Sequence, residues 1–590
     1  MRQSVLCSEK LEFVVSTKPL LLERVVLREN PDACGTIASE IFWVESGGRR
    51  ISASEFSITS VSEHDDGRYK LLRIDMEHGS GISAAAAFLA DIDGSVELIL
   101  QLWNTADLEA RFVGLGMPFL SDGKMLGLKE AAFRAPNRPF ESSRGETLLD
   151  LHPACVKPMS FVRGDGCGFD ILFDVPKESN TQSCTPELPC IRSLENLKSY
   201  HTQVRLNRYP AVVMQMKIKA VKDGWTETFQ EIKKNARRKV DLDLYGRPDL
   251  KWYQDTCLHH FAYVFSEEVY DYTHDQVDVV RLLEAGKEFG GYDVICLWHQ
   301  YPRLGVDERS QWDFFRDFPG GLAGIASIAQ KCHENGVKLM LPYKPWDAPA
   351  HMTQNGTAEA LAQIILDTDV DGFFLDTMSS VPEKFRLEAD KVKPGCVFCT
   401  ELPPENGRVL EVLNGSWQQS EPLPYQVPIL RYVFPEHRSH FISRWSIGAD
   451  RDNMLKKAMM NGCGLVVWQD VFGAWLPYTE EQKEAVRKWK GIWQDNRACF
   501  LSSNVVPLWP ALQEDLIVNA FIEESGETAI FTVCNNSGRI LEGELLRHGF
   551  TGGVCAEDLW NMQTPVRVRD GKIYAKLMPG QVAVIKGQVF

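Results

Sequence analysis

No stretch of this sequence approaches the roughly 20 consecutive apolar residues that a bilayer span requires. The nearest run, Ile82 to Ile92, is too short and contains Asp91, so a soluble chain with no membrane partner is expected. Basic charge is in deficit: 64 Lys and Arg stand against 80 Asp and Glu, a net charge of −16. Such a surface repels a phosphate backbone, and the densest basic run, Lys233 to Lys239, reads as a solvated helix between domains. Nucleic acid is therefore not an expected partner. Neither GxGxxG nor a P-loop occurs between a strand and a helix, so no organic cofactor is expected. The 15 cysteines are odd in number and follow no regular framework, which favours reduced thiols and a cytoplasmic location. Arg2, Glu9, Lys10 and Glu12 interrupt the place where a secretory signal would need an apolar core, although a mature exported form would look the same. His259-His260 lacks a third ligand at metal spacing, and Cys396-Val-Phe-Cys399 lies in an apolar strand-like run, so no metal is expected.

What is present is ordinary globular composition on a large scale. The 590 residues are 44% hydrophobic, 24% charged and 10% aromatic. That length predicts about three or four domains. Up to about residue 220, short period-two segments such as Leu11–Val15, Ser95–Trp103 and Ala211–Lys219 alternate with Gly, Asp and Asn turns. An N-terminal β-sandwich is predicted over 1–225, followed by a helical linker over 226–248.

From Asp249 the rhythm changes to apolar strands alternating with amphipathic helices, which predicts a central (β/α)8 TIM barrel over 249–498. Strands are expected near His260–Phe265, Asp293–Trp298, Val337–Tyr343, Gly372–Asp376, Cys396–Glu401, Ile429–Phe434, His440–Trp445 and Gly464–Trp468. One crossover, between the sixth and seventh of these, is short for a full helix. Alternation returns after Phe500 and predicts a small C-terminal β-sandwich over 499–590. The fold class expected is thus multidomain, α/β flanked by all-β.

Active sites of such barrels lie at the C-terminal ends of the strands. There the sequence places Trp298 and His299 after strand two, Lys344, Trp346 and Asp347 after strand three, Asp376 after strand four and Glu401 after strand five. Arg438 is expected after strand six, Trp445 after strand seven and Asp470 after strand eight. Adjacent parallel strands lie about 4.8 Å apart, so Asp376 and Glu401 can reach the ~5 Å separation of a retaining glycosidase pair. The tryptophans would offer flat faces to sugar rings, while His299, Lys344, Asp347 and Arg438 would bond hydroxyls.

The order β-sandwich, barrel, small β domain, with Asp371-Gly-Phe-Phe-Leu-Asp376 and then Glu401, resembles the retaining α-glycosidases of the α-amylase type. Their relatives, the melibiase-type α-galactosidases and the endo-α-N-acetylgalactosaminidases, share the likeness. The resemblance implies Asp376 as nucleophile and Glu401 as acid/base. Phe374 occupies the position where α-amylase-type enzymes carry an arginine, which points to a distant branch. The expected function is a glycoside hydrolase cleaving an α-linked sugar with retention, with Glu401 raised in pKa by its neighbour. The alternatives are an inverting enzyme or transglycosylase on the same barrel, or a non-catalytic carbohydrate-binding protein.

Overall fold

The computed structural model describes 3–116 apart from 18–19, 29, 37–41, 47, 92–93 and 105–109, and between 120 and 221 the strands together with 206 and 208–210. It further describes 229–590 apart from 231–232, 235, 300–308, 348–352, 420–423, 425, 443–449, 514 and 563–564. Two units are present, Met1–Leu149 with Val156–Glu231, and Asp150–Cys155 with Ile232–Phe590.

The first unit is built from antiparallel sheets. Gln3–Cys7, Leu11–Thr17, Leu20–Leu27 and Asn30–Thr36 form a four-stranded meander. A seven-stranded sheet centres on Val96–Asn104 between Ile82–Ala90 and Ala211–Val221. Its central strand alternates strictly, with Val96, Leu98, Leu100 and Leu102 buried, which is the pleat signature that made it legible. A further four-stranded sheet includes Phe42–Ser46 and Ala110–Gly116.

The second unit contains a closed barrel of eight parallel strands. They are β1 (Leu258–Tyr263), β2 (Val294–Trp298), β3 (Lys338–Tyr343), β4 (Gly372–Leu375), β5 (Val397–Thr400), β6 (Gly415–Gln419), β7 (Arg438–Ile442) and β8 (Gly464–Trp468). β8 pairs back onto β1, Val466 beside His259, and so closes the ring. Every residue of β2, β4, β5, β7 and β8 is buried, as a sheet covered by helices on its outer face demands.

Two expectations about these strands need correction. Ile429–Phe434 is not the sixth strand: Ile429–Val433 is a short helix, buried on all sides. The sixth strand is the polar segment Gly415–Gln419, and what was expected as the seventh starts earlier, at Arg438. A short apolar run buried all round carries no period that separates strand from helix. The short crossover is thereby explained, because the true one runs from 420 to 437 and holds that helix.

The floor of the barrel is filled by rings instead of aliphatic layers. His259 and His440 lie with ring centroids 3.8 Å apart, and Tyr253 packs on both. Their neighbours must be small: a Cβ on Gly464 would lie 2.2 Å from His440 Cδ2, and one on Gly415 2.6 Å from Tyr253 Cε1.

After the barrel's last long helix, Glu480–Asp495, the chain enters a strand-rich terminal region. A five-stranded sheet orders Asn504–Val506, Leu516–Ile522, Thr528–Asn535, Val582–Val589 and Val554–Asp558, and a three-stranded sheet holds Leu541–Arg547, Lys572–Leu577 and Arg567–Arg569. This region is joined to the barrel by side chains: Asn519 Nδ2 and Thr532 Oγ1 donate to the Met460 carbonyl at 2.8 and 2.6 Å. Among the described residues no helix is long and apolar enough to cross a membrane.

Candidate active site

β4 is four apolar residues long, and Asp376 is the first residue beyond it. Its N–H donates to the Tyr343 carbonyl at 2.9 Å, while the Glu401 N–H donates to the Leu375 carbonyl at 3.1 Å. The backbones stay linked beyond the strands, with Leu402 N–H on Met378 O and Glu405 N–H on Ser379 O. The two carboxyl groups are therefore set side by side by main-chain pairing and not by the rotamers alone.

Asp376 is 8% exposed, and its carboxyl lies beside that of Glu401. Burial and then the charge of Glu401 hold the Asp376 carboxyl well above the ordinary aspartate value, against the pull of Lys344 and a hydrogen bond from Trp346. Two carboxyls this close cannot both ionise cheaply, so the pair retains one proton into the neutral range. Glu401 accepts twice: the Thr377 N–H reaches Oε2 at 2.7 Å and the Gln419 amide reaches Oε1 at 2.6 Å. Thr377 does so from a left-handed backbone, φ 58°, which a β-branched residue rarely adopts.

Beside this pair lies a buried cation. Lys344 is fully buried, with Nζ 3.0 Å from His299 Nδ1 and 5.2 Å from the Trp298 ring centroid. Burial lowers its amine to about 7, opposed by Asp376 and Asp347. Gln311 shapes this loop, donating to the Lys344 and Asp347 carbonyls at 2.6 and 3.0 Å and accepting from the Lys344 N–H at 2.9 Å.

The structure thus brings Asp376, Glu401, Lys344, His299 and Trp346 together, with Asp347 buried on the same loop. Trp298 and His299 are 1% and 2% exposed; Trp298 packs on Phe261 and Phe374 and supports Lys344, so it is barrel interior and not an open face for a ring. Trp346, 47% exposed, is the open one. Asp470 lies after β8, four strands from β4 in the ring of eight, where it accepts the Gly473 N–H at 2.7 Å. Burial and the nearby Glu268 and Glu267 raise its carboxyl.

Arg438 is a correction. It is the first residue of β7 and lies at the opposite end of the barrel, donating to the Thr256 carbonyl at 2.5 Å and lying 4.6 Å from the Trp493 ring centroid. The misplaced sixth strand put it at the wrong end. Trp445 lies outside the described residues. Gln311 and Gln419 were missed: Gln419 ends the strand that lacked an apolar pattern, and Gln311 opens a short helix between β2 and β3 with no strand end to mark it. Cys396 and Cys399 are buried thiols, both pushed up to about 12 by burial; Cys399 lies in β5 and Cys396 directly precedes it.

The architecture is that of a strand-rich region, a closed parallel eight-stranded barrel and a second strand-rich region. No protein-family model matches the chain, and no curated protein does. Among solved structures it is distantly similar to α-glycosidases. One is a GH36 α-galactosidase, AgaA of Geobacillus stearothermophilus, in complex with 1-deoxygalactonojirimycin, at 10% identity and TM-score 0.45, covering 100% of both chains. Another is the galactosidase domain of the α-galactosidase–sucrose kinase AgaSK, at 8% identity and TM-score 0.43, over 99% of this chain and 98% of that one. An α-amylase of Anoxybacillus aligns at 12% identity and TM-score 0.39, over 57% of this chain and 99% of its own. At such identities and scores, function has to be argued from the chain's own residues.

Proposed function

We propose that the protein is a glycoside hydrolase that cleaves an α-linked sugar with retention of configuration, with Asp376 as nucleophile and Glu401 as acid/base. The observation that carries this reading is a pair of carboxyls on the ends of adjacent parallel strands, Asp376 one residue beyond β4 and buried, Glu401 one residue beyond β5. A retaining cycle needs that inventory, one ionised carboxylate to attack the anomeric carbon and one protonated acid to release the leaving oxygen. An inverting pair stands roughly 6.5–9.5 Å apart to admit a water. Carboxyls on the ends of adjacent parallel strands, whose spacing is about 4.8 Å, fit the closer separation of a retaining pair, which favours retention.

Attack requires the proton on Glu401 and an ionised Asp376, and positive charge on Lys344 beside Asp376 favours that state. Trp346 offers an exposed ring face at the rim, and His299, Lys344 and Asp347 serve as sugar-binding groups, with Asp470 across the mouth. Around this centre we read 1–225 as a β-sandwich, 226–248 as a linker, 249–498 as the catalytic barrel and 499–590 as a small β-sandwich. Buried free thiols such as Cys257, Cys296 and Cys463 support a reducing, cytoplasmic setting.

The test is hydrolysis of aryl α- and β-glycosides by the full chain and by Asp376→Ala and Glu401→Ala, with and without azide. Loss of roughly a thousandfold or more in both variants is expected. Azide should then give a glycosyl azide of retained configuration from Glu401→Ala and of inverted configuration from Asp376→Ala, read by NMR. Exchanged products would reverse the two roles, and wild-type rates in either variant would remove that residue from the mechanism.

A further inference from the structure

The rim of the barrel carries a second group of unusual residues, on the side away from Asp376. After β8 the chain folds into a hairpin in which Asp470–Val471 pairs with Ala474–Trp475. Its two turn residues, Phe472 and Gly473, both have left-handed backbones, φ 52° and 86°. Glycine adopts that conformation freely, whereas phenylalanine there is strained, a condition that persists mainly where surroundings or function impose it. The consequence is that Phe472 stands at the tip 54% exposed, beside Trp475 at 52%. The Phe472 ring rests edge-on against Trp468, centroids 5.3 Å apart, and lies 6.3 Å from Tyr263.

The neighbouring loop after β1 repeats the pattern. It forms a hairpin of Tyr270–Asp271 with Gln276–Val277 and presents Tyr272 at 65% exposure. The Tyr272 hydroxyl is tied to the Phe265 carbonyl at 2.5 Å, which fixes the ring. Gln469 donates to Glu268 across the two loops at 3.3 Å, Glu268 is largely buried 3.3 Å from His260, and Glu267 and Glu268 both lie near enough to raise the Asp470 carboxyl.

Held aromatic rings interleaved with carboxylates select a particular chemistry. A sugar stacks its apolar ring face on an aromatic and donates its hydroxyls to carboxylates. Anions would be repelled by the three acids, whereas the hydroxyl donors of a sugar would not. We propose that the Asp470–Trp475 hairpin, together with Tyr272, is a glycan subsite that holds sugar residues remote from the bond cleaved at Asp376 and Glu401. The substrate is then an oligosaccharide lying across the barrel mouth. This rests on the glycosidase reading above and specifies the size class of its substrate.

The experiment compares kcat/KM for p-nitrophenyl α-glycosides with kcat/KM for stachyose and maltooligosaccharides, using the full chain, Phe472→Gly and Trp475→Ala. The ratio of oligosaccharide to aryl-glycoside efficiency should fall roughly three- to tenfold per ring removed, through KM. Phe472→Gly should melt no lower than the native protein, because glycine relieves the left-handed turn, so this variant carries the test should Trp475→Ala fold poorly. An unchanged ratio in a folded Phe472→Gly overturns the subsite. A native protein that cleaves aryl glycosides but no oligosaccharide also overturns it, while leaving the glycosidase reading intact. A native protein that cleaves nothing, with an Asp376→Asn variant that retains none of these oligosaccharides, overturns both.

Discussion

Asp376 is held above the ordinary aspartate value of 3.8 chiefly by burial and then by Glu401, and that has a consequence for stability as well as chemistry. Once pH rises past the unfolded value, the unfolded chain releases this proton while the folded one keeps it. The folded state then binds more protons, so stability falls with rising pH until the folded group also ionises. Asp376→Asn removes that dependence. The variant should exceed the native protein in unfolding free energy by about 1–2 kcal/mol at neutral pH and converge with it toward pH 4, as denaturant titrations at several pH values would show. A constant gap at all pH values would mean that Asp376 is not the group that keeps the proton. Thr377 offers a second measurement at this scale. Its left-handed φ of 58° is costly for a β-branched residue, yet only its N–H meets Glu401. Thr377→Gly should therefore raise stability by about 1 kcal/mol while loosening the clamp on Glu401 and lowering kcat severalfold. A gain in both would show that the strain serves no positioning purpose.

The strands explain which parts of this arrangement could be read from sequence. β4 is short and wholly apolar and β5 is apolar up to its last residue, Thr400, so their ends, and with them Asp376 and Glu401, were legible. β6 was not, because Ser416 and Gln418 are polar yet buried, satisfied by His437 and by the Ser439 hydroxyl. Hydrophobic periodicity registers burial only where burial is apolar. Losing that strand hid Gln419, the second donor to Glu401, and moved Arg438 to the wrong end of the barrel. The glycines at the floor also had no readable meaning in sequence, since their need comes from rings contributed by distant segments. Gly464 shows it best: its missing Cβ makes room for the His440 ring and for the Cys257 carbonyl. Gly464→Ala should cost about 1–3 kcal/mol as an overpacked core position, more than alanine at an exposed strand glycine would, and lower the midpoint of urea unfolding without changing its slope. A neutral effect would mean that His440 can move aside, and that the floor is less closely packed than the 3.8 Å contact of His259 and His440 implies.

At the scale of the molecule, the terminal strands complete the barrel's helix ends. The helix Arg451–Asn461 ends among carbonyls with no partner inside the helix, as all helices do. One of them, Met460 O, accepts from Asn519 and Thr532, both on strands of the terminal sheet, and from Tyr432 at a longer 3.4 Å. Asn519 and Thr532 are themselves buried, so neither water nor a rotamer change can replace the bond. Phe500 adds to the junction, stacking with Trp493 at 6.4 Å and accepting a hydrogen bond from the buried Arg431. Barrel and terminal sheets should consequently unfold as one cooperative body. Asn519→Ala with Thr532→Val strips the Met460 carbonyl of its two short donors and should cost about 2–4 kcal/mol. In calorimetry the transition containing the barrel should move down by several degrees as a single peak, by roughly the ratio of that energy to the unfolding entropy. A split into two peaks, the terminal sheets melting first and the barrel unmoved, would show instead that the contacts at Met460 do not couple the two.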